Sequence, residues 1–208
     1  LQYVTCSMRT LTVSELSAAL DEETLEMLDL PHTLVGVCGE FISVDNDGNI
    51  AMVHQTAREY LLGNHQGDRP LRIYPQIAHR ELLLSSLRSL LSIGLRHKLN
   101  RNQWPEFLRY AATSWSSHLR YVAIDDHNVT LTLKRFLSGN SVLSWVHALA
   151  LTGQLGVLIR ASKDLYTFAS RRRQNAELGS LSTTVQPLFD DEFFESWGTD
   201  LLRVLGKF

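Results

Sequence analysis

From Gln76 to Ile93 the apolar residues Ile77, Leu83, Leu84, Leu87, Leu90 and Leu91 are spaced by three, four and seven positions, the spacing that places side chains on one face of an α-helix. A strand would require strict alternation, so this stretch commits the second part of the chain to helix. Further helices are expected at Trp104 to His118, Asn128 to Leu137, Ser141 to Thr152 and Leu155 to about Arg172. Gly139-Asn140 and Gly153 supply the breaks. Helices joined by short turns favour antiparallel neighbours, which makes residues 75–173 an antiparallel helical array. Residues 174–189, polar and poorly periodic from Gln174 to Pro187, read as a loop. Residues 190–208 read as a C-terminal helix, patterned from Asp190 to Val204.

The first 63 residues are patterned differently. Leu1 to Met8 reads as the end of a helix, and Thr12-Val13-Ser14-Glu15 has the spacing of a capping box that opens a helix to about Leu20. A third helix is expected over Leu30 to Cys38, with Pro31 in its first turn and Gly39 at its close. Phe41 to Val44 and Ile50 to Val53 are β-prone runs on either side of Asp45-Asn46-Asp47-Gly48-Asn49, a segment rich in turn formers. A helix follows over His54 to Leu62, with Thr56 and Glu59 at capping-box spacing and Gly63 as its stop. Three helices and then a hairpin is the order of a winged helix. The fold expected is therefore mainly α: a winged-helix unit with a small antiparallel β-hairpin over 1–63, a linker over 64–74, and the helical array.

Composition narrows the function classes. The 208 residues carry 44% hydrophobic and 20% charged side chains with a formal net charge of -2, so no global field draws the chain to polyanions. Cys6 and Cys38 lack the spacing of a metal knuckle or disulfide framework, which suits a reducing, cytoplasmic compartment. Even the most apolar stretch, Val142 to Ile159, is interrupted by His147, Gly153, Gln154 and Gly156, too soon to span a bilayer. Beginning at Leu1 without a basic and then apolar leader, the chain is expected to be a piece of a longer protein that starts inside a helix.

The strings RTLTVSELSAAL, HTLVGVCGEFISVDNDGNIAMVHQTAREYLL, FLRYAATSWSSHL and WGTDLLRVLGKF together resemble the segment that follows the nucleotide-binding domain in fungal NACHT signalling ATPases of the STAND type. Many of those continue into WD or ankyrin repeats. The first two strings resemble the winged-helix domain named after GPI inositol-deacylase. The name implies no catalysis in this chain, which has no G-x-S-x-G nucleophile elbow.

What the resemblance implies is a regulatory, signal-transducing module. It would pack on a NACHT domain, couple its ADP or ATP state to a C-terminal repeat sensor, and permit homo-oligomerisation on activation, as in innate immunity and heterokaryon incompatibility. In related ATPases a winged-helix histidine within a Met-His-Asp-like motif touches the β-phosphate of ADP. Here Met52-Val53-His54-Gln55 stands in that place, so His54 is the expected nucleotide contact of the full-length protein. Gln55 departs from the motif's Asp. At a hairpin exit and helix entrance, the imidazole would lie beside positively polarised backbone N–H groups.

Other chemistries fail on their residues. There is no Lys or Arg between Thr10 and Ala57, whereas Glu15, Asp21, Glu22, Glu23, Glu26, Asp29, Glu40, Asp45 and Asp47 are acidic. A duplex-binding winged helix needs cations facing phosphate, so nucleic acid is not an expected partner. A calcium loop starting at Asp45 would need Gly where Ile50 stands and Glu where Thr56 stands. His54 to Arg58 lacks the Glu and second His of a zinc motif, and His32, His65, His79, His97, His118, His127 and His147 are scattered without ligand spacing, so no metal is expected. No G-x-x-x-x-G-K-[ST] phosphate loop occurs, so this segment is expected to be no enzyme and to hold no cofactor alone.

Trp104, Trp115, Trp145, Trp197, Phe107, Tyr110, Tyr121 and Phe136 are expected to fill the helical core. Arg171-Arg172-Arg173 is read as a solvated helix end. The rival reading is a stand-alone helical scaffold for protein–protein interaction, with the winged helix as a cap.

Overall fold

A computed structural model describes residues 1–20, 41–63, 71–179 and 188–206, together with Leu34, Gly36, Cys38 and Gly39. The helix expected over Leu30 to Cys38 falls mostly outside the described residues. So do 64–70 of the expected linker.

The N-terminal unit comprises α1 (Gln2–Cys6), β1 (Leu11–Thr12), α2 (Val13–Ala19), β2 (Ile42–Val44), β3 (Asn49–Met52) and α3 (Gln55–Leu62). The capping box forms as the sequence requires: Thr12 Oγ1 accepts from the Glu15 N–H at 3.1 Å while the Glu15 carboxylate accepts from the Thr12 N–H at 3.1 Å. Strands β2 and β3 pair antiparallel with Val44 opposite Ile50. Their loop closes on Gly48, whose φ of +78° is the left-handed conformation that glycine adopts at least cost. Asp45 holds the turn, accepting from the Asp47 and Asn49 N–H groups at 2.9 and 2.8 Å. That carboxylate closes the turn, with its second oxygen accepting from the Asn49 side-chain amide at 2.9 Å.

The sheet has a third strand that the sequence did not advertise. Leu11 pairs with Ile50 and puts β3 in the middle, in the order β1-β3-β2. Two residues are too few to show alternation. Leu11 and Ile50 are nevertheless buried at 0% and 1% exposure and anchor the small core with Ile42, Leu16 and Leu61.

The remainder is helical: α4 (Pro75–Leu90), α5 (Leu95–Asn100), α6 (Leu108–His118), α7 (His127–Ser138), α8 (Ser141–Leu151), α9 (Val157–Gly179) and α10 (Leu188–Leu205). Helix α4 is central and packs on α1, α6 and α7, with Leu82 to Leu87 all buried. Ile77, counted in its apolar stripe, instead lies on the outer face, half-exposed. Helix α6 starts at Leu108, four residues later than expected, and Pro105 disfavours helical backbone at Trp104. Between α6, α7 and α8, Trp115, Trp145 and Phe136 meet edge to face at 5.4 to 5.9 Å. The Trp145 indole N–H donates to the Ala112 carbonyl at 2.8 Å.

Helices α9 and α10 lie antiparallel, since Ser162 meets Gly198, Phe168 meets Phe194, and Arg172 meets Asp191. Gly198 permits the close approach: a Cβ there would lie 3.2 Å from the Ser162 carbonyl oxygen. Helix α9 runs to Gly179, through residues 174–179 that read as loop, and α10 already begins at Leu188. The three arginines are consequently not a solvated helix end. Arg171 donates to the carbonyls of Leu119, Arg120 and Val122 beyond α6, Arg172 bonds buried Asp191 at 2.8 Å, and Arg173 pairs with Glu195 at 2.8 Å. Both α9 and α10 had to be placed before those partners could be recognised.

Candidate functional site

His54 stands where β3 gives way to α3. It is the N-cap of α3: its Nδ1 accepts from the Thr56 N–H at 3.2 Å and lies 2.8 Å from the Thr56 hydroxyl. Thr56 was expected to open this helix, and the imidazole does so in its stead. With Nδ1 accepting, the proton of the neutral ring resides on Nε2. Among the described residues Nε2 has no hydrogen-bond partner, and the side chain is exposed. A solvent-facing N–H at a helix start can donate to an anion, and the backbone N–H groups of that first turn add positive potential. Gln55 bonds along its own helix to Glu59 at 3.3 Å and leaves the ring alone. Exposed Val53 precedes His54, and the exposed Tyr60 ring further along α3 stacks on Phe41 at 6.4 Å.

A second constellation joins residues that sequence spacing kept apart. Tyr110 Oη accepts from the Met8 N–H at 3.0 Å and lies 2.9 Å from His118 Nε2; His118 Nδ1 lies 2.8 Å from His79 Nδ1. One proton arrangement satisfies the whole series. Tyr110 donates to His118, which carries its own proton on Nδ1 and donates to His79. Tyr121 stacks on His79 at 4.0 Å. Burial in apolar surroundings holds His79 down to about 4, with Arg58 adding repulsion, and holds His118 down to about 3. The same desolvation raises Tyr110. All three groups are neutral near pH 7 and form a polar seam between α1, α4 and α6. With the two histidines 39 positions apart, no local motif could have revealed them.

The seam continues on its outer side. Arg9 makes two hydrogen bonds to the Glu15 carboxylate, at 2.7 and 2.5 Å, and lies over the Tyr110 ring at 5.2 Å. Burial pushes Glu15 up, but the bonds from Arg9 and the Thr12 N–H outweigh it and leave the carboxyl below its ordinary value. Tyr3 Oη meets Ser85 Oγ at 3.1 Å, and Arg58 donates to the Thr5 carbonyl at 2.9 Å.

No cluster of three or more His, Cys, Asp or Glu side chains suited to a metal ion occurs among the described residues. No helix among them is long and apolar enough to cross a membrane. Helix, strand, helix and a two-stranded wing followed by a helix define the N-terminal unit as a winged helix. Residues 1–70 match the family described as GPI inositol-deacylase, winged helix domain, and the match covers 70 of the 208 residues. No curated protein and no solved structure matches the chain.

Proposed function

We propose that this chain is a non-catalytic regulatory module of a NACHT-type NTPase, in which the winged helix packs on a nucleotide-binding domain and the helical array passes its ADP or ATP state to a C-terminal sensor. The observation that carries this reading is His54, an exposed imidazole fixed by the Thr56 N–H so that its Nε2–H faces outward from a helix N-terminus. That geometry suits a hydrogen bond to a terminal phosphate of ADP supplied by another domain. Exposed Val53, its chain neighbour, offers apolar area for the contact. A ligand held between two domains biases them toward the closed arrangement by the contacts it makes there and nowhere else.

The test is to express the parent reading frame with any phosphate-loop domain it contains and compare ADP affinity for the native protein and His54→Ala. A loss of about 1 to 3 kcal/mol is expected for one hydrogen bond to a charged group. Unchanged affinity, or a parent without a nucleotide-binding domain, sinks the reading.

The scaffold alternative draws on a separate observation: Leu131, Leu143 and Leu151 are 53 to 58% exposed on α7 and α8. On that reading, replacing all three with Ser abolishes partner capture while His54→Ala leaves it intact.

A further inference from the structure

Between the winged helix and the helical array, the end of α2 faces the end of α4 and the start of α6 across a cleft of about 420 Å³. None of the residues around His54 lines it. Its polar wall holds two cations, Arg88 and Lys98, and the hydroxyls of Ser17, Ser89 and Ser92, with no carboxylate among the described residues that line it. Arg88 is held in place by a 2.9 Å hydrogen bond to Ser85, itself bonded to Tyr3. Its guanidinium has no acidic partner among the described residues. Lys98 likewise has no side-chain partner there. The Ser92 hydroxyl oxygen is buried and lacks any hydrogen-bond partner, a state buried polar atoms seldom keep. Leu20, Pro105 and Phe107 add an apolar wall.

We propose that this cleft binds a small organic phosphate. Two cations match the charge of a phosphate monoester dianion. The three hydroxyls and the free guanidinium and ammonium N–H groups exceed what the two oxygens of a carboxylate accept, whereas three phosphate oxygens take them up. The apolar wall receives the organic body. A second cleft, bounded by Arg9, Trp104 and Arg109, lacks this character: Glu15 already occupies Arg9, and Arg109 lies over the Trp104 ring at 5.0 Å. A ligand in the first cleft touches both units at once and stabilises the folded chain in proportion to its occupancy.

The test uses the full 208-residue chain, with phenyl phosphate as probe and inorganic phosphate and benzoate as comparators, by calorimetry and thermal denaturation. Phenyl phosphate is expected to bind, to raise the melting temperature, and to bind roughly tenfold more tightly than either comparator. Lys98→Gln removes an exposed side chain without a structural partner, so it folds, and it is expected to weaken binding roughly tenfold. Ser92→Ala is expected to weaken it without loss of stability, since its hydroxyl contributes no bond to the fold. Absence of binding, equal affinity for benzoate or for inorganic phosphate, or unchanged affinity in both variants overturns the assignment.

Discussion

At the scale of single residues, the buried imidazoles make the sharpest demand. An unfolded histidine titrates near ~6.5, while His79 and His118 are held at about 4 and about 3 in the fold. Between the unfolded and folded values the unfolded chain binds more protons, so stability rises with pH across that window. It is fully present above ~6.5 and declines as pH falls toward about 4. Urea denaturation at neutral pH and near the lower end of that window is expected to show a loss of order 1 kcal/mol per pH unit for each group. In His79→Gln that slope should be shallower; an unaltered slope would mean the acid loss arises elsewhere. His118→Phe leaves the Tyr110 hydroxyl without its acceptor and is expected to cost about 1 to 3 kcal/mol at neutral pH, read from the same curves. Glu15 combines two roles that substitution can separate. Glu15→Gln keeps an acceptor for the capping box but loses the Arg9 charge pair, and Arg9 is 42% exposed, so the expected cost is below ~1 kcal/mol. Glu15→Ala loses both and should cost about 1 to 2 kcal/mol.

At the scale of elements, the α9–α10 pair depends on Arg172 and Asp191, 12% and 1% exposed. Arg172→Met strands a buried carboxylate and is expected to cost about 3 to 5 kcal/mol in thermal or urea denaturation. The double variant Arg172→Met with Asp191→Leu should recover most of that loss. If the double variant is as unstable as the single one, packing and not charge dominates this contact. These elements also show what a sequence can disclose. The Thr12 capping box, the Asp45–Gly48 turn and helices α4, α7, α8 and α10 were legible because each is specified by residues a few positions apart. Helix α5 and strand β1 were not, being too short to show a period. The extension of α9 past Arg172 escaped notice because Gln174 to Gly179 is largely polar and shows no helical period. Of the candidate sites, His54 was legible as a residue, though not as the cap of α3. The tyrosine–histidine series and the serine-lined cleft were invisible, since each joins positions far apart in the chain.

At the scale of the whole molecule, the boundary drawn from composition near residue 64 does not separate two cores. Tyr3, Val4 and Cys6 of α1 belong to one continuous apolar cluster with Ala78, Leu82 and Tyr110. A piece comprising residues 1–70 alone therefore exposes α1 and is expected to show a broadened thermal transition by circular dichroism. A sharp transition at the temperature of the full chain would show the winged helix to be self-sufficient. The same contacts bear on the order in which the chain is made. Tyr3 waits for Ser85, 82 residues on, and Met8 for Tyr110, 102 residues on. At a synthesis rate of roughly 5 to 20 residues per second, the first helix spends on the order of 5 to 20 seconds outside the ribosome before its partners emerge. Helix α1 thus emerges well before the residues that lock it, and for that interval its apolar face is open to chaperones.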